Sequence, residues 1–134
     1  MDGIAARYMA RLEALGARCD ALPEREATEL FISEIVDFHF EHRVFLRELF
    51  RLAPRFGRLE KIYALRNQMA LALTKAAERR GRALPDEAVR QFICTNAVCG
   101  VMDNVIFSTV CTLTREQVKH ELVALVTRYR ASTD

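Results

Sequence analysis

The chain has 134 residues, 51% of them apolar and 28% charged, with five glycines and three prolines. That length suits one domain, spanning residues 1–134, with a core of its own, and the composition is an ordinary globular one that argues against disorder. The net charge is only +2, too balanced to argue for nucleic-acid binding by itself, and the arginines interleave with glutamates (Arg11/Glu13, Arg25/Glu26, Arg47/Glu48) as on a solvated surface.

Periodicity predicts helices throughout and no strand. The first helix runs from about Gly3 to Arg18, with Ile4, Tyr8, Leu12 and Leu15 at helical spacing. It lacks the long apolar stretch and small-residue cleavage site of a signal peptide. A break follows at Asp20-Ala21-Leu22-Pro23. The second helix starts near Pro23, whose fixed φ suits a first turn, and Glu24 and Glu26 favour the positive end of its dipole. Its stripe is Ala27, Leu30, Phe31, Ile35 and Phe38. The pattern loses phase at His42-Arg43 and resumes with Phe45, Leu46, Leu49 and Phe50, so a short third helix follows a bend and Ala53-Pro54 closes it.

The fourth helix is predicted over about Arg58 to Arg80. Leu59, Ile62, Tyr63, Met69, Ala70, Leu73, Ala76 and Ala77 form its stripe, which only Arg66 interrupts. Gly81 is a natural C-cap, and Arg79 and Arg80 suit the negative end of the dipole. Pro85-Asp86 opens a fifth helix to Ser108, about 23 residues and roughly 35 Å long. From Phe92 onward it is apolar or small on nearly every side, with Asn96, Asp103 and Asn104 as its polar exceptions. Such a helix is expected to be buried on more than one face, one of them against a second copy of the chain. Thr114 and Gln117 make a capping box at the start of the sixth helix, whose face is Val118, Leu122, Leu125, Val126 and Tyr129. The short connection predicts that helices five and six pair as an antiparallel hairpin.

No apolar run reaches the roughly 18 residues needed to cross a bilayer, and a cytoplasmic protein without membrane contact is expected. Cys19, Cys94, Cys99 and Cys111 show no CxxC spacing and read as small buried residues. His39 and His42 share a helical turn, but two ligands make no metal site, so neither metal nor cofactor is expected. A phosphate-binding loop and a Ser/His/Asp arrangement are both missing, and the chain does not read as an enzyme.

Three segments together resemble the C-terminal, ligand-binding domain of TetR/AcrR-family transcriptional regulators. LFISEIVDFHFEHRVFLRELFRL is similar to the family's helix ending near a histidine, followed by a short helix. NAVCGVMDNVIF is similar to its long penultimate helix, with a central glycine and a polar position three residues on. LTREQVKHELVALVTRYR is similar to the final helix, and the likeness runs from about Ile4 to Arg130. Arg43 stands where members often have proline. The three-helix DNA-binding head, which such regulators carry in roughly 50 further residues upstream, is not in this sequence.

The resemblance implies an all-α, roughly six-helix bundle that forms a homodimer through its last two helices, in a four-helix bundle. It implies a pocket for a small, mostly apolar effector that modulates DNA binding, as in a repressor, through a head outside this sequence. The alternative is a stand-alone helical dimer serving as an adaptor or ligand carrier. The pocket candidates are Phe31, Ile35, Phe38, Arg66, Met69, Leu73, Phe92, Asn96, Cys99, Met102 and Asp103. The seam candidates are Gly100, Val101, Val105, Val118, Leu122, Leu125, Val126 and Tyr129. Several have a second reading. Gly100 suits a close approach at the seam or a small site in the monomer core. Asn96 and Asp103 suit a pocket or a structural hydrogen bond. Arg66 can meet a ligand anion or Asp103, or extend along the margin of its stripe.

Overall fold

A computed structural model describes residues 2–52, 59–108 and 112–131. Ala53-Pro54, Arg58 and Cys111, and the side chains of Ile4, Tyr8, Leu12 and Leu59, lie outside what is described. The described elements are six helices: α1 (Asp2–Asp20), α2 (Glu24–Glu41), α3 (Arg43–Leu52), α4 (Leu59–Arg79), α5 (Glu87–Phe107) and α6 (Arg115–Ala131).

Their ends follow local chemistry. At the end of α4, Gly81 adopts φ 67°, its N–H donates to the Glu78 carbonyl and the Arg82 N–H donates to the Ala77 carbonyl. This is a Schellman closure, which needs a left-handed residue and so favours glycine. At the start of α6 the Gln117 N–H donates to Thr114 Oγ1 and the Thr114 N–H donates to Gln117 Oε1, a reciprocal capping box. The bend between α2 and α3 takes one residue, His42, and no proline: the His42 N–H donates to Phe38 and the Leu46 N–H donates to His42. Arg43 then turns its guanidinium to the Ser108 carbonyl at 3.2 Å, and Arg47 reaches the Ile106 carbonyl at 2.8 Å. Helix α5 has no basic residue in its own last turn, so α3 supplies the cations that suit its negative end.

The main core joins α1, α2, α4, α5 and α6 around Ile35, Val36, Val98 and Met102. A smaller cluster of Phe38, Leu46 and Ile106 holds α3 against α2 and α5. Val36, Met102 and Ile106 are fully buried, each contributing roughly 1.5–3 kcal/mol of hydrophobic stabilisation.

Two pairings dominate, α4 with α5 and α2 with α6, whereas α5 and α6 meet only slightly. Asp37 with Lys119 (2.8 Å) and Glu24 with Arg130 (3.1 Å) tie opposite ends of α2 and α6, so the two run in opposite directions. The expectation for α6 is an antiparallel hairpin with α5, which the slight contact between the two helices does not establish. Within the chain α6 packs mainly on α2, and Val118, Leu122 and Val126 join the main core there. Arg130 still links the last turn of α6 to Glu87 in the first turn of α5, at 2.6 Å.

Candidate functional site

The cavity is a slot of about 530 Å³ between α1 and α4, floored by α2, α5 and α6. Glu13, Gly16, Ala17 and Asp20 form one rim, at helical spacing on α1. Gln68, Ala72, Lys75 and Arg79 form the other on α4. Gly16, Ala17 and Ala72 add little bulk to the rims, and a Cβ added at Gly16 would meet nothing within 4 Å. Phe31, Ile32, Ile35, Met69, Val98 and Val126 make the interior largely apolar. Volume and lining match a small-molecule site with a few polar groups.

Polar groups collect toward one end. Asp20 accepts two hydrogen bonds from Arg80, at 2.7 and 3.1 Å, and lies 3.7 Å from Arg79, joining the ends of α1 and α4. The Arg80 hydrogen bonds hold the Asp20 carboxyl below its ordinary pKa. Arg130 bridges Glu87 and Glu24; burial opposes its charge, but those two carboxylates outweigh burial and keep its pKa above the ordinary value. Cys19 and Cys94 line the slot, and burial raises both thiols, which disfavours the reactive thiolate. Thr95, 5% exposed, also lines it, and its Oγ1 has no hydrogen-bond partner among the described residues.

Of the pocket candidates, the slot brings together Phe31, Ile35, Met69 and Leu73. The others lie elsewhere. Phe38 is in the α3 cluster, and Phe92 is half exposed. The Asn96 amide donates back to the Phe92 carbonyl at 2.9 Å. Cys99 and Met102 are core residues away from the slot, and burial pushes the Cys99 thiol up to about 11. Arg66 donates to both oxygens of Asp103, at 2.6 and 3.1 Å, and its guanidinium lies 5.5 Å from the Phe50 ring centre and 5.7 Å from that of Tyr63. The pair is therefore an internal clamp between α4 and α5. The sequence singles out neither Thr95, although it repeats at helical spacing with Gln91 and Val98, nor the α1 rim, where Gly16 and Ala17 carry no signal.

The seam candidates divide in the same way. Val105, Val118, Leu122 and Val126 are buried in the chain's own core, and Tyr129 is partly buried against that core. Gly100, Val101 and Leu125 are exposed. The Gly100 Cβ position meets nothing within 4 Å among the described residues, so no described neighbour packs against this glycine. Val89, Phe92, Ile93 and Phe107 extend the exposed apolar surface along α5. Thus α5 is buried on one face within the chain, and its other face is open and largely apolar.

Among the described residues no helix is long and apolar enough to cross a membrane, and no group of three or more His, Cys, Asp or Glu residues is placed to hold a metal ion. A family model described as "Tetracyclin repressor-like, C-terminal domain" matches residues 23–129. No curated protein and no solved structure matches the chain.

Proposed function

The chain belongs to the tetracyclin repressor-like C-terminal domains, and from that premise we propose that it is the effector-binding and dimerisation domain of a transcriptional repressor. The carrying observation is that α5 lines the slot with Gln91, Cys94, Thr95 and Val98 and carries the exposed apolar stripe on its opposite face. A homodimer formed along that stripe covers an apolar surface that water otherwise meets. A small, mostly apolar effector in the slot then changes the position of α5, and with it the geometry of the dimer. DNA affinity falls by a population shift between two dimer arrangements, read by a head outside this sequence.

Native mass spectrometry of the freshly purified 15.3 kDa chain tests this. A dimer carrying a small molecule that Leu73→Trp displaces supports the reading. A monomer that retains nothing and binds nothing overturns it.

A further inference from the structure

The geometry points to an elongated anionic effector for this slot, apolar along most of its length, with its anion at the α4 rim and a hydroxyl or carbonyl at Thr95. The inference rests on the effector-site reading and specifies its ligand. Two independent observations carry it.

One is the charge around the opening. Five cationic side chains line the slot (Lys75, Arg79, Arg80, Arg82 and Arg130) against three carboxylates (Glu13, Asp20 and Glu24). Arg80 is committed to Asp20, and Arg130 to Glu24 and Glu87. Arg79 has only the longer 3.7 Å approach to an Asp20 already held by Arg80. Lys75 and Arg82 have no ion pair among the described residues. The uncommitted charge is thus mostly positive and sits at the α4 end of the opening, where it suits a carboxylate or another single anion.

The other observation is Thr95. A buried hydroxyl without a partner is unfavourable, and a ligand oxygen placed against it restores the missing hydrogen bond. The surrounding floor, Ile35, Met69 and Val98, offers the rest of the ligand only apolar contact. A plain hydrocarbon leaves Thr95 unsatisfied, and a compact polar anion wastes the floor. An apolar chain with oxygen at both places fits both.

Isothermal titration of the purified chain tests this with decanoate, 1-decanol, decylamine and hydroxydecanoates differing in hydroxyl position, each below its micelle threshold. The acid is expected to bind roughly three- to tenfold more tightly than the alcohol, with a preference that shrinks as salt is added. One hydroxydecanoate is expected to exceed decanoate by roughly three- to tenfold. The double substitution Arg79→Gln/Arg82→Gln should bring the acid-to-alcohol ratio close to one, and Thr95→Val should do the same for the hydroxylated-to-plain ratio. Alcohol or amine binding as tightly as the acid overturns the inference, as does equal binding of every hydroxyl isomer and decanoate. So does failure of every probe to bind. In each of these cases a different molecule, retained through purification and displaced by Leu73→Trp, keeps the slot as the effector site.

Discussion

Arg66 and Asp103 form a two-point clamp between α4 and α5, with Nη2 2.6 Å from Oδ1 and Nη1 3.1 Å from Oδ2. The two partners are not equally buried: the Arg66 side chain is 10% exposed and Asp103 30%. Burial alone lowers the pKa of an arginine; here the Asp103 hydrogen bonds outweigh it and leave the guanidinium firmly charged. The clamp joins α4, which forms one wall of the slot, to α5, which carries the open apolar stripe.

Removing one partner should cost more than removing both. Asp103→Asn leaves the buried guanidinium without its countercharge and is expected to lower stability by about 1–3 kcal/mol. Arg66→Met combined with Asp103→Leu should recover most of that loss, because apolar side chains then replace two desolvated charges. Urea unfolding checks this through the midpoint at an unchanged m-value. A double variant less stable than Asp103→Asn would show that the clamp has a net stabilising value beyond satisfying its own charges.

Stability should fall on both sides of neutrality. Burial is the main cause lowering the His39 pKa from 6.5, against the opposing hydrogen bond from Nδ1 to the Ile35 carbonyl at 2.7 Å. Arg66 and Asp103 are the charged groups that act on it. As pH drops below 6.5 the unfolded chain takes up a proton that the folded chain refuses, so stability is lost until the folded-state pKa is reached. Cys99 gives the opposite limb. Its thiol is raised from 9.0 to about 11, the unfolded chain ionises first, and stability declines as pH rises through that interval. Unfolding midpoints across this range should show the acid limb flattened by His39→Leu and the alkaline limb flattened by Cys99→Ala. An unaltered limb in either variant removes that residue from the pH response.

The start of α6 offers a local test. Thr114→Ala removes the acceptor for the Gln117 N–H and should destabilise the protein by about 1 kcal/mol, and Gln117→Ala by less, since water can still reach the Thr114 N–H. Circular dichroism melts of both variants measure the difference. Equal losses would mean that the two halves of the capping box act as one unit.

That capping box was legible because both partners lie within one helical turn. The same holds for Gly81, where a left-handed residue closes α4, and for the six helices themselves. What escaped depends on which surfaces meet. The stripe Val118, Leu122 and Val126 was read correctly as apolar, but nothing in its spacing distinguishes α2, α5 or a second subunit as its neighbour. The slot was half visible. Phe31, Ile35, Met69 and Leu73 announce themselves by size, whereas Gly16, Ala17 and Ala72 shape the opening by what they lack. On α5, Asn96 is the conspicuous polar residue in the sequence, yet its amide donates one turn back to the Phe92 carbonyl, whereas the neighbouring Thr95 hydroxyl has no partner among the described residues.

Gly100 now separates a helix from a seam. It sits inside α5, exposed, with no atom within 4 Å of a built Cβ. In an isolated subunit Gly100→Ala should therefore stabilise the helix by about 0.5–1 kcal/mol. In a dimer packed along the α5 stripe, an added side chain meets the partner instead, and Gly100→Leu should weaken association at least tenfold, about 1.4 kcal/mol. Sedimentation velocity over a concentration series gives the association constant, and dilute thermal melts give the stability of the separated chain. Ile93→Glu and Val101→Glu place charge on the same stripe without touching the glycine, and they should weaken the dimer too. If these two substitutions disrupt association while Gly100→Leu does not, the stripe is the seam but the helices do not approach closely at Gly100. If none of the three changes association, subunits meet somewhere other than this face of α5, and coupling between slot and dimer must follow another helix.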